Sequence, residues 1–145
     1  MTNPSATRGV GTFPSLQRLT PVLVVPSVSD CLPFWTDRLG FQVTTQVPGD
    51  DGSLAFAILE RDGIEIMYQS SASALADGAM TQGDLAGHSV ALFITVASID
   101  EVERRIAGAP IAKPRHDTFY GSTEIYVKEP GGNLVGFRLR LCYGR

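Results

Sequence analysis

The chain repeats itself. Ser53-Leu54-Ala55-Phe56-Ala57-Ile58-Leu59-Glu60-Arg61-Asp62-Gly63 lines up, 69 positions on, with Ser122-Thr123-Glu124-Ile125-Tyr126-Val127-Lys128-Glu129-Pro130-Gly131-Gly132. Serine, glutamate and glycine recur in step, Phe56 and Ile58 meet Ile125 and Val127, and at the same offset Ile66 and Tyr68 meet Val135 and Phe137. Upstream, Val25-Pro26-Ser27-Val28-Ser29-Asp30 meets Val96-Ala97-Ser98-Ile99-Asp100-Glu101 at an offset of 71. A repeat of this kind constrains the fold strongly, because each copy must be one supersecondary unit that buries its apolar face with the help of its twin.

Each unit reads as β-α-β-β-β. Leu19 to Val25 is an apolar, β-branched strand. Ser27 to Leu39 is a helix opened by a serine cap with an acidic residue three positions on, tolerating an early Pro33 and stopping at Gly40. Phe41 to Val47 alternates as a strand and ends at Pro48-Gly49-Asp50-Asp51-Gly52. Leu54 to Glu60 and Ile64 to Gln69 form a hairpin about Asp62-Gly63. The second unit runs through Ser89 to Val96, Ser98 to Ala107, Ile111 to Arg115, Thr123 to Lys128 and Leu134 to Leu141. The small, polar stretch Ser70 to Gly87 is a linker with room for a short helix, and residues 1–18 form an N-terminal tail. The expected domain is therefore 19–145, with module 1 at 19–69 and module 2 at 88–141.

At 145 residues, 43% hydrophobic and 19% charged, the chain suits one globular core and no more. The net charge of −3 makes nucleic acid and anionic membranes poor partners and leaves a neutral or mildly cationic ligand open. Cys31 and Cys142 are far apart and lack the spacing of a disulfide framework or zinc knuckle. With no apolar run for a signal peptide before Gln17, the expected location is the cytoplasm.

Tandem β-α-β-β-β units, with Phe34-Trp35-Thr36-Asp37-Arg38-Leu39-Gly40-Phe41 in the first and Glu129-Pro130-Gly131-Gly132-Asn133 in the second, resemble the vicinal oxygen chelate superfamily of glyoxalases, bleomycin-resistance proteins and dioxygenases. The pattern is most similar to the bleomycin-resistance proteins. The resemblance implies an α+β fold in which two modules form curled mixed sheets around a cup. It also implies a homodimer, often with modules exchanged between chains. Enzymes of the superfamily hold a divalent metal in the cup, and the corresponding positions here are Thr20, Met67, Ala91 and Gly136. None is an ordinary ligand for such a metal. The expected metal and cofactor are therefore none, and the expected function is capture of a small, partly aromatic, antibiotic-like molecule. The alternative is a metal-dependent lyase, isomerase or dioxygenase with a displaced site built from Glu65, His88 and His116.

Strand alternation lists the cup face: Thr20, Val22 and Val24; Ala91, Phe93 and Thr95; Glu65, Met67 and Gln69; Leu134, Gly136 and Arg138. The third strands add Ala55, Ala57 and Leu59, and Glu124, Tyr126 and Lys128. Among these, Glu65, Met67, Phe93, Tyr126 and Arg138 are candidate ligand-binding residues, joined by Tyr120 from the loop before the third strand of module 2. Phe93 and Met67 have a second reading, as filler of a collapsed cup. Trp35 is read as packing in the core or at a dimer interface, and Cys31 either as a thiol activated by its helix or as a buried apolar side chain.

Overall fold

A computed structural model describes residues 13–78, 80–87 and 90–140. Residues 1–12 of the expected tail, His88, Ser89 and the last five residues, Cys142 among them, lie outside that description. Strand β1 (Val22–Val25) leads into helix α1 (Val28–Leu39), followed by β2 (Gln42–Pro48), β3 (Leu54–Arg61) and β4 (Ile64–Ser70). Two short helices, α2 (Ser71–Asp77) and α3 (Gln82–Leu85), occupy the linker. The second module repeats the pattern as β5 (Ala91–Thr95), α4 (Ile99–Arg105), β6 (Ile111–Asp117), β7 (Ser122–Lys128) and β8 (Leu134–Arg140).

Each module folds into a four-stranded sheet of the same order, β1-β4-β3-β2 and β5-β8-β7-β6, with its first and last strands parallel and the other pairs antiparallel. The architecture is the expected α+β arrangement of two β-α-β-β-β modules in mixed sheets. Local chemistry explains the boundaries. Ser27 and Ser98 accept from the backbone N–H groups of Asp30 and Glu101, which opens both helices. Gly40, at φ +73°, closes α1 in the left-handed conformation that a β-carbon disfavours. Asp62 and Gly63, at φ +52° and +79°, both take positive φ, the requirement of the two-residue type I′ turn that joins β3 to β4.

One apolar core runs through both modules, from Leu23, Val25, Trp35 and Tyr68 to Ile99, Val127, Val135 and Phe137. Among the described residues no such core covers the opposite face of either sheet. Pairing register puts Val22 and Val24 of β1 beside Met67 and Gln69 of β4 on that open face, and Phe93 and Thr95 of β5 beside Gly136 and Arg138 of β8. The expected inward and outward assignments of the first and last strands therefore hold.

Strand β3 departs from expectation. Ala57 pairs with Tyr68 and Leu59 with Ile66, so both are buried in the core, while Phe56 and Ile58 stand beside Gln69 and Met67 on the open face. The cause is a slip between the two hairpins. Met67 and Gly136 occupy equivalent places 69 apart, yet their partners Ile58 and Tyr126 are 68 apart, because β3 and β4 turn in two residues and β7 and β8 take five. A one-residue slip turns every side chain of a strand over. Strand β7 keeps its expected register, with Glu124 and Tyr126 on the open face.

Candidate functional site

The six expected ligand-binding residues divide between two sheets. Glu65 and Met67 stand on the open face of module 1, and Phe93, Tyr126 and Arg138 on that of module 2, with Tyr120 in the loop before β7. Glu65 accepts hydrogen bonds from Thr20 (3.0 Å) and Arg18 (3.1 Å). Thr20 first, then Arg18, hold its carboxyl below the ordinary value against a burial that raises it. A groove of about 480 Å3 between the modules has Thr20, Glu65 and Phe93 in its wall. Met67 lies beside Val22 and Ile58, and the neighbouring Gln69 is held by Ser73 (3.0 Å) and Asp77 (2.8 Å), so α2 ties down that end of the face.

Module 2 presents the denser constellation. At its base is Glu124, fully buried. Tyr126 donates its hydroxyl to Oε1 (2.5 Å), and Ser122 (2.7 Å) and Tyr120 (2.9 Å) donate theirs to Oε2. Burial alone would raise the Glu124 pKa, but the three hydroxyl donors and the nearby His116 outweigh it and hold the carboxyl below its usual range. The same bond pushes the Tyr126 phenol well above its ordinary value, with burial and the Glu124 charge adding to the effect. The arrangement is a carboxylate held ionised at neutral pH, with the hydroxyls of Tyr126, Tyr120 and Ser122 donating to it.

Around the phenols stand three more groups. The Tyr126 ring packs edge-on to His116 (centroids 5.8 Å) and tilted against Phe93 (6.3 Å). His116 donates from Nδ1 to the Pro114 carbonyl (2.8 Å). It stands within β6, which reaches Asp117 rather than stopping at Arg115. Arg138 donates through Nε to Thr95 Oγ1 (3.1 Å) and holds its guanidinium 4.9 Å from the Phe93 ring centre. Phe93 and Tyr120 remain about half exposed, at 48% and 54%. Phe119 is fully exposed beside Tyr120.

The expected metal positions fail on space as well as on donors. A β-carbon at Gly136 would fall 2.7 Å from two atoms of the Tyr126 ring and 2.8 Å from Phe93. The two rings therefore fill the place from which a ligating side chain on β8 would project. Thr20 is committed to Glu65, and Ala91 has no donor atom. Among the described residues no three His, Cys, Asp or Glu side chains stand close enough to hold a metal ion together. Of the displaced set, Glu65 is on sheet 1 and His116 on sheet 2, and His88 lies outside the described residues.

Two further residues are resolved. Trp35 is wholly buried and donates from Nε1 to Tyr68 (2.9 Å), which makes it core. Cys31 is buried too; desolvation, with Glu129 and Asp30 nearby, pushes its thiol up to about 12, the opposite of activation by its helix. Glu124 was missing from the expected binding set. Its signal is the alternation Tyr120-x-Ser122-x-Glu124-x-Tyr126, polar and aromatic groups in every second place of an extended segment.

The profile of the Glyoxalase/Bleomycin resistance protein/Dioxygenase superfamily matches residues 16–137. The chain belongs to that superfamily. Similar solved structures include TioX from Micromonospora sp. ML1 (22% identity, TM-score 0.66, covering 86% of this chain and 99% of that one). A glyoxalase/bleomycin resistance protein/dioxygenase from Nocardioides is 18% identical (TM-score 0.64, 98% and 95% covered). The lactoylglutathione lyase from Agrobacterium tumefaciens is 15% identical (TM-score 0.64, 87% and 95% covered). At these identities the likeness is one of fold, which binding proteins and enzymes share. No curated protein matches the chain.

Proposed function

We propose that this chain is a binding member of its superfamily, in the manner of the bleomycin-resistance proteins, holding a small, partly aromatic molecule on the open face of module 2 without a metal. The observation that carries the reading is the filling of the Gly136 position by Phe93 and Tyr126, which puts aromatic surface where a cation ligand would project. Aromatic faces with a few fixed polar groups are the composition of a small-molecule site. In the cytoplasm the protein works as a homodimer in this reading. Half-exposed Val22 and Phe93 mark open faces that a second copy would cover.

Metal analysis of protein purified without chelators, followed by a thermal-shift screen of planar compounds, tests the proposal. The expected outcome is no stoichiometric divalent ion and a raised Tm with aromatic ligands. A stoichiometric ion that disappears on replacing His88 would overturn the reading in favour of a metal-dependent lyase, isomerase or dioxygenase.

A further inference from the structure

The polar groups of the module 2 face are oriented, and their orientation specifies a ligand. A phenol has one proton to give. Tyr126 and Tyr120 both give theirs to the ionised Glu124 below them, so on the ligand side their oxygens act only as acceptors. Arg138 is the converse, a group that only donates. Its Nε donates to Thr95 and its guanidinium carbon stands 4.9 Å from the centre of the Phe93 ring, both partners being on β5, whereas Glu124 is on β7. Arg138 makes no ion pair among the described residues, and the carboxylate opposite it in register already accepts from three hydroxyls. The face thus has a donor-only cationic end at Arg138 and an acceptor-only end at Tyr126 and Tyr120, with the rings of Phe93 and Tyr126 between them.

Resting on the binding reading above, we infer that the ligand class is a planar aromatic acid that also carries a hydrogen-bond donor: its carboxylate, or an equivalent anion, meets the Arg138 guanidinium, and a ring hydroxyl or amine donates to Tyr126 or Tyr120. A guanidinium already held by a hydrogen bond and a neighbouring aromatic ring loses little freedom on meeting a carboxylate, which it matches in geometry. The local guanidinium, rather than the net charge of −3, decides the sign of the ligand at this end.

Four simple probes separate the terms: 4-hydroxybenzoate, 4-methoxybenzoate, benzoate and phenol, titrated into the intact protein by calorimetry or ligand-observed NMR. The expected order puts 4-hydroxybenzoate at least about tenfold tighter than phenol, which lacks the acid, and several-fold tighter than the methoxy compound, which can only accept; one charge-assisted hydrogen bond is worth roughly that much. Arg138→Gln is expected to erase the advantage of 4-hydroxybenzoate over phenol. Equal binding of phenol and 4-hydroxybenzoate, equal binding of the hydroxy and methoxy acids, or an undiminished preference in Arg138→Gln overturns the inference. So does silence from all four probes. If neutral indole or quinoline then still perturbs Phe93 and Tyr126, the binding reading survives its failure; if they too are silent at this face, both fall together.

Discussion

Glu124 shows how one side chain governs several others. A fully buried carboxylate is tolerated only if its oxygens are satisfied, and three hydroxyls from one loop and one strand satisfy them. In return it fixes the direction of two phenols at the surface. Because its folded-state pKa is depressed below the ordinary 4.5, it contributes stability that is fully present above that value and is lost as pH falls through the lower folded value. Glu124→Gln should therefore have two effects. At neutral pH it costs about 1–3 kcal/mol, since an amide accepts less strongly and presents an N–H to one of the hydroxyls. Below about pH 5, urea midpoints of the variant should fall less steeply than those of the parent, whose other carboxylates cancel in the comparison. Parallel midpoint curves down to the acid limit would show that the Glu124 charge takes no part in folding.

At the scale of elements, the two hairpins make contrasting demands. The Asp62-Gly63 turn is open around Gly63, where an added β-carbon meets nothing within 4 Å, but its φ of +79° suits only glycine. Gly63→Ala should thus cost about 1 kcal/mol in urea unfolding through the backbone alone, without altering ligand binding. The Glu129-Pro130-Gly131-Gly132-Asn133 turn is instead crowded, a β-carbon on Gly131 running into Val25 of the other module. That difference in turn length is also why the repeat could be read only so far. The order of strands and helices, the serine caps and the faces of β1, β4, β5 and β8 follow from periodicity and turn chemistry, and the structure bears them out. The face of β3 does not follow, because a constant offset carried across turns of unequal length puts Ala57 and Leu59 in the cup and Phe56 and Ile58 in the core. Of the site, the aromatic and charged members are legible by alternation. Their division between two sheets follows from the two modules, and the three hydroxyls that meet on Glu124 lie within four residues of it; what depends on tertiary placement is the full burial of Glu124 and the closing of Phe93 and Tyr126 over Gly136.

Across the whole molecule, the crowded turn is the joint between the modules. Glu129 accepts from the backbone N–H (2.6 Å) and the side chain (2.9 Å) of Asn133, and from the Tyr68 hydroxyl, which in turn accepts from Trp35 Nε1 (2.9 Å). Nearby, Arg38 donates to the Ala107 carbonyl (2.6 Å) and Arg105 to the Arg38 carbonyl (2.9 Å), so helices α1 and α4 are cross-tied. Burial, followed by the Glu129 charge, pushes the Tyr68 phenol far above its ordinary value and keeps it a donor at any physiological pH. Tyr68→Phe preserves the ring but leaves Trp35 Nε1 without its acceptor and Glu129 without one donor in the core. A loss of about 2–4 kcal/mol is expected. Because Tyr68 and Glu129 are in contact, a double-mutant cycle of Tyr68→Phe with Glu129→Gln should show a coupling of at least about 1 kcal/mol, with unfolding still a single transition of unchanged m-value. Additive single-site costs would mean that the network does not join the modules energetically. Two separate transitions in the parent protein would mean that each module carries a core of its own, contrary to the continuous one seen here.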